Sequence, residues 1–132
     1  MDYICVKRFR GLAIDGNVDI AIGTDLTCEN KIIKRKTKKI CVSTSDNAHT
    51  YFMRNDDGNG ALRGELIDAI NAALAADPTK YEKIYKDSIC QAYKKDGHDM
   101  WIWNHAFFNT TVETLTYIKN LIVEEESHDE SK

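Results

Sequence analysis

The 132-residue sequence predicts an α+β fold: a small N-terminal antiparallel β-sheet or partial barrel followed by a C-terminal helical layer. Three observations lead there. Residues 2–43 fall into short runs, rich in Ile and Val and mostly alternating, separated by turn residues. Residues 44–123 repeat their apolar positions at the helical period. Strands come first and helices second, without the alternation that builds a parallel α/β sheet. The length fits one domain, 1–123, with a β-rich part at 1–43 and a helical part at 44–123. An acidic, disordered tail is expected at 124–132.

The strand runs are YICVKRF, NVDIAIG, DLTC, KIIK and KKICVS. Asp15-Gly16 and Glu29-Asn30 mark turns, and a basic link around Arg35–Thr37 closes a hairpin. The charges there also blunt an edge strand against self-pairing. Thr44, Ser45 and Asp46 are N-cap candidates for a short helix through Tyr51 to Arg54, stopped by NDDGNG at 55–60. A second helix starts near Gly60 and presents Leu62, Leu66, Ile67, Ile70, Ala73 and Leu74. Asp77-Pro78 ends it and opens a third, carrying Tyr81, Ile84, Tyr85, Ile89 and Tyr93. Residues 99–108 predict a short buried helix, on which Trp101 and Trp103 would point about 200° apart. Thr110 with Glu113 predicts a capping box for a last helix bearing Leu115, Ile118, Leu121 and Ile122.

Composition narrows the class. No apolar run approaches the ~20 residues that cross a bilayer, and the N-terminus carries no secretory apolar stretch, so a cytoplasmic protein without a membrane partner is expected. The four cysteines, Cys5, Cys28, Cys41 and Cys90, form no CxxC pair and are expected to be reduced thiols. Net charge is −3, but the first 40 residues hold nine Lys/Arg against five Asp/Glu. Lys31, Lys34, Arg35, Lys36, Lys38 and Lys39 concentrate that excess. The candidate partner-binding set is Arg8, Arg10, Lys34, Arg35, Lys36, Lys38 and Lys39, whose charges suit a host protein, a nucleic-acid phosphate backbone or a nucleotide. Aromatic residues do not interleave with these cations, which argues against base-specific reading.

Two Cys-x7-His spacings, Cys41 with His49 and Cys90 with His98, make these four residues a candidate structural zinc site. The spacing is unlike the common ligand pairs, and His105 is an alternative to His98. NDDGNG mimics the start of a calcium loop, with Asn55, Asp57 and Asn59 at its first ligand positions, but the bidentate twelfth position is Leu66. Cys41, His49 and Asp46 could be drawn as a nucleophilic triad, but a thiol in an apolar strand is inert. No catalytic set emerges, and a non-enzymatic protein is expected.

The segments YICVKRFRG, TSDNAHTYFMRNDDGNG and WIWNHAFFN resemble a small-protein family carried by phages and prophages of low-GC Gram-positive bacteria. The likeness spans most of residues 3–123, and its specific parts are TSDNAHTYFMRNDDGNG and WIWNHAFF. The resemblance implies a phage accessory protein of the counter-defence kind, an anti-CRISPR protein binding a type II, Cas9-type nuclease. It also makes a bound metal compatible with the Cys/His spacing. A sponge for a nucleotide immune signal and a small zinc-stabilised interaction module are the alternatives. No inhibitory residue is carried over from the family.

Overall fold

A computed structural model describes residues 2–130, with side chains described as far as residue 123. The acidic tail expected at 124–132 therefore lies outside the residues whose side chains are described. The fold is α+β, antiparallel strands first and helices second, and the sheet is open rather than closed into a barrel. The chain forms two compact units, Met1–Gly64 and Glu65–Lys132.

The first unit holds β1 (Asp2–Cys5), β2 (Phe9–Ala13), β3 (Gly16–Ile20), β4 (Asp25–Glu29), β5 (Ile32–Arg35), β6 (Lys38–Val42), α1 (Asp46–Tyr51) and β7 (Phe52–Arg54). Five strands form an antiparallel sheet in the order β6-β5-β4-β1-β7, and β2 pairs with β3 as a separate ribbon. YICVKRF is thus two strands rather than one. Its inward series is Tyr3, Cys5 and Phe9, all buried, and unbroken alternation would drive Lys7 into the core. The chain breaks there, and the Cys5 thiol donates to the Lys7 carbonyl at 2.9 Å. Ribbon and sheet close on one apolar cluster that includes Cys5, Phe9, Val18, Ile20, Leu26, Ile33, Ile40 and Phe52. Each Val, Leu, Ile or Phe among them, when fully buried, contributes about 1.5–3 kcal/mol. Phe9 meets the rings of Tyr51 and Phe52 edge-on, at 5.0 and 5.8 Å.

The ribbon's turn also covers the exposed edge of β6. Ile14 N–H donates to the Ile40 carbonyl at 3.0 Å and Asp15 N–H to the Lys39 carbonyl at 3.2 Å. The Asp15 carboxylate accepts from Lys39 N–H at 2.8 Å. Edge groups that would invite another strand are thereby satisfied. The helix expected to reach Arg54 stops at Tyr51, because Phe52–Arg54 pairs with β1 as β7 and buries both Phe52 and Met53. Tertiary pairing decides a short apolar segment that periodicity leaves ambiguous. Gly60 then lets the next helix start against β1: a Cβ there would overlap Ile4 Cγ2.

That helix, α2 (Gly60–Ala76), runs from the first unit into the second. The second unit continues with a 3-10 turn (Pro78–Lys80), α3 (Tyr81–Lys86), α4 (Ser88–Gln91), α5 (His105–Asn109) and α6 (Val112–Glu130). Its buried residues include Ile70, Leu74, Ile84, Phe107, Leu115 and Ile118. The single third helix predicted from periodicity is broken at Asp87. Its carboxylate accepts from Ile89 N–H and Cys90 N–H, both at 2.9 Å, and so starts α4 as an N-cap. The predicted helix at 99–108 is also shorter. Trp101–Asn104 are non-helical, Trp103 bridges to Lys94, and α5 begins at His105 under an Asn104 cap. The two tryptophans do not diverge: their rings meet edge-to-face at 5.3 Å. Trp101 is buried, whereas Trp103 is half-buried and stacks on Phe107 at 3.8 Å. The last helix is capped by Thr111, whose hydroxyl accepts from Thr114 N–H, and not by the Thr110–Glu113 box.

Candidate functional site

The β4-β5-β6 end of the sheet carries the basic cluster. Two tight turns frame it. In β4–β5 the last pair is Glu29 with Ile32, leaving Asn30-Lys31 as the loop, with φ of 51° and 65°. In β5–β6 the last pair is Arg35 with Lys38, leaving Lys36-Thr37, with Lys36 at φ 57°. Two-residue hairpin turns favour Gly, Asn or Asp at such left-handed positions. Lysine there costs of order 1–3 kcal/mol per residue, and both turns carry one.

Pairing along the hairpin adds to that cost. Lys34 lies opposite Lys39, and Arg35 opposite Lys38. Like charges directly opposite each other destabilise an antiparallel pair. The first match depends on a bulge between Ile33 and Lys34: Ile33 pairs with Cys41 and Lys34 with Lys39, leaving Ile40 as the extra residue. Ile40 and Cys41 are consequently both buried, and Lys39 is set against Lys34 on the opposite face.

The two pairs have different surroundings. Arg35 and Lys38 reach towards the ribbon, where Arg35 Nη1 donates to the Asp19 carbonyl at 3.2 Å and Lys38 Nζ to the Asn17 carbonyl at 3.4 Å. Those carbonyls lie on the outer edge of β3, so these cations fasten the ribbon. Arg8 is engaged as well, gripping the Asp19 carboxylate through Nε at 2.8 Å and Nη2 at 2.6 Å. This hydrogen bonding holds the Asp19 carboxyl below its ordinary range. Arg10 stands 3.6 Å from the same carboxylate and stays largely exposed. Lys34 has Glu29 at 3.8 Å; Lys36 and Lys39 are exposed, with no carboxylate in ion-pair distance among the described residues. A hollow of about 570 Å³ opens beside Lys34 and Lys36, which line it with Asp2, Asp25, Leu26, Thr27 and Asn55.

The predicted partner-binding set therefore divides. Arg8, Arg35 and Lys38 are engaged within the fold, Lys34 is half-buried beside Glu29 and Arg10 is exposed beside Asp19, whereas Lys36 and Lys39 present charge to solvent. Lys31 belongs with Lys36 and Lys39. Its signal in the sequence is its place after Glu29-Asn30, where a two-residue turn fits.

The candidate zinc ligands fall in both units. Cys41 is buried in β6, where burial pushes its thiol up, and His49 is half-buried in α1. Cys90 is buried in α4; burial and the neighbouring Asp87 carboxylate push its thiol up to about 12. His98 is exposed in the loop before Trp101, and His105 is half-buried with its pKa lowered by burial. Among the described residues, no three His, Cys, Asp or Glu side chains gather as a metal site.

NDDGNG has a structural function that sequence reasoning missed. Asn55 Oδ1 accepts from Gly60 N–H at 2.8 Å, and Asp57 accepts from Asn59 N–H at 3.0 Å. Asp57 also takes both terminal nitrogens of the fully buried Arg63, one of them at 2.7 Å. The same guanidinium donates to the Arg54 carbonyl at 3.0 Å. The loop is thus a clamp for a buried cation rather than a calcium loop. No helix among the described residues is long and apolar enough to cross a membrane. Compared with protein families, curated proteins and solved structures, the chain finds no match.

Proposed function

We propose that this protein is a non-enzymatic inhibitor, encoded by a phage, that binds a component of a bacterial defence system, and that the component is a type II, Cas9-type nuclease. The observation that carries the binding part is the hairpin. It keeps Lys34 against Lys39, and Lys36 in a left-handed turn, where smaller or neutral residues would be more stable. Charge retained against local stability marks a surface selected for contact rather than for folding. An anionic partner relieves the repulsion, so binding and fold cease to conflict. Such nucleases hold the guide–target heteroduplex in a positively charged channel, so the lysine hairpin would meet the bound nucleic-acid backbone or an acidic patch outside that channel, not the channel wall. The choice of nuclease rests on the resemblance of YICVKRFRG, TSDNAHTYFMRNDDGNG and WIWNHAFFN to the phage family. Burial and the Asp87 carboxylate hold the Cys90 thiol in its neutral form, which argues against nucleophilic chemistry at that residue.

The test is cleavage of a matched DNA by a guide-loaded Cas9-type nuclease while this protein is titrated in. The reading predicts loss of cleavage near stoichiometry and co-elution with the nuclease. A variant carrying Lys34→Gln, Lys36→Gln and Lys39→Gln should require at least ~10-fold more protein. Undiminished cleavage in excess protein would overturn it. A small nucleotide released on denaturing the purified protein would instead favour the sponge.

A further inference from the structure

We infer that the row Lys31, Lys34, Lys36 and Lys39 is a sequence-independent binding strip for the phosphate backbone of a nucleic acid. The inference rests on the hairpin being the partner surface and goes beyond it by naming the chemistry of the partner. First, the cations form a line. Lys31 and Lys36 stand in the turns at the two ends of β5, Lys34 lies on the strand between them, and Lys39 lies opposite Lys34. Five residues of strand span ~16 Å. That is about five steps of a duplex strand at 3.4 Å each. A line of charges fits a polymer backbone, whereas one small anion needs convergence.

Second, the cations of the row are all lysines, with Lys31, Lys36 and Lys39 exposed and Lys34 half-buried beside Glu29. The arginines Arg8 and Arg35, whose forked donors suit directional protein contacts, are bonded to Asp19. Lysine is depleted in protein–protein interfaces, where Arg and aromatic residues carry affinity. It serves phosphates as a mobile point charge. Third, the carboxylates facing the row lie to one side. Glu29 sits near Lys34, and Asp2 and Asp25 line the hollow on the β1–β4 side. They repel a backbone from β1 and β4 and confine it to β5 and β6.

The experiment uses the full chain and two fluorescent probes, a mixed-sequence 20-nucleotide RNA and a mixed-sequence 20-base-pair DNA, titrated between 50 and 200 mM salt. Four neutralised phosphates predict a log–log salt slope of about −3 on single strands and about −3.5 on duplex. Over that range affinity should fall ~50- to 150-fold. Scrambling the probe sequence should change affinity less than ~3-fold, since backbone contacts carry no sequence information. Each of Lys31→Gln, Lys34→Gln, Lys36→Gln and Lys39→Gln should make the slope shallower by roughly 0.7–0.9 while circular dichroism stays unchanged. Slopes that do not respond to these substitutions would overturn the inference. So would equal or tighter binding to a polyglutamate chain, which would assign the row to an acidic protein. Failure here is separable from failure of the inhibitor reading. If nuclease inhibition persists with no nucleic-acid binding, the strip fails and the inhibitor stands; binding without inhibition gives the reverse.

Discussion

Arg63 is among the largest fully buried side chains of the described residues, and its charge is met by Asp57 from the NDDGNG loop. Removing one member of such a pair leaves a cation without its counter-charge in the interior. Asp57→Ala should cost about 2–4 kcal/mol, below the upper end for fully buried pairs because Asp57 is itself 39% exposed. Urea denaturation checks it, with Asp56→Ala as the milder control. The hydrogen bonds from Arg63 hold the Asp57 carboxyl well below its ordinary value. A depressed carboxylate contributes stability that is fully present above the ordinary Asp range, near pH ~4, and is lost as pH falls below it. The denaturation midpoint should therefore drop between about pH 4 and pH 2 in the native protein. In Asp57→Ala that part of the drop should vanish. Little in the sequence announces this clamp. Arg63 looks like one more polar residue on an amphipathic helix, and only the fold buries it.

At the scale of elements, the β2–β3 ribbon is held to β5–β6 by polar groups as well as by its share of the core. Asp15 closes the edge of β6, while Arg35 and Lys38 take the outer carbonyls of β3. Asp15→Ala should speed amide hydrogen exchange at Lys39 while leaving β1 and β4 protected, since it frees one edge N–H and little else. Arg35→Ser should loosen the ribbon in the same assay, unlike Lys36→Ser. The strands of β3 to β6 were legible because Ile and Val alternate there and Asp15-Gly16 and Glu29-Asn30 punctuate them. The breaks at Lys7, at Phe52 and at Asp87 were not. Each depends on what the chain meets in three dimensions: a core that refuses a lysine, a strand that offers pairing, and a carboxylate that caps α4. WIWNH shows the same limit, since an aromatic run is compatible with helix or extended chain until its packing partner, Phe107, is in place.

Across the whole molecule, charge separates with the two units. Residues 1–64 carry eleven Lys/Arg against eight Asp/Glu, and residues 65–132 carry seven against thirteen. The density of cations in the hairpin was visible in the sequence, and with it Lys34, Lys36 and Lys39. Which cations the fold engages was not, because Asp15 and Asp19 meet the hairpin only after the ribbon folds over it. Zinc has a direct check. Structural zinc needs thiolates, and Cys90 is held strongly in its neutral form beside Asp87. Elemental analysis of untagged protein should find less than ~0.1 equivalent of zinc, and chelator should leave the melting temperature unchanged. A full equivalent, lost with stability in chelator, would instead show that the protein carries structural zinc, with Cys41, His49, Cys90 and His98 the first residues to substitute. On the proposed function, the hairpin carries lysines where they weaken the fold because their charge makes the contact. The most direct test is the Lys31→Gly, Lys36→Gly double variant, measured for urea midpoint and for inhibition of nuclease cleavage. Glycine relieves the left-handed strain at both turns, less its own entropy loss on folding, so stability should rise by up to about 1–2 kcal/mol while inhibition weakens. A lower midpoint with undiminished inhibition would contradict the account.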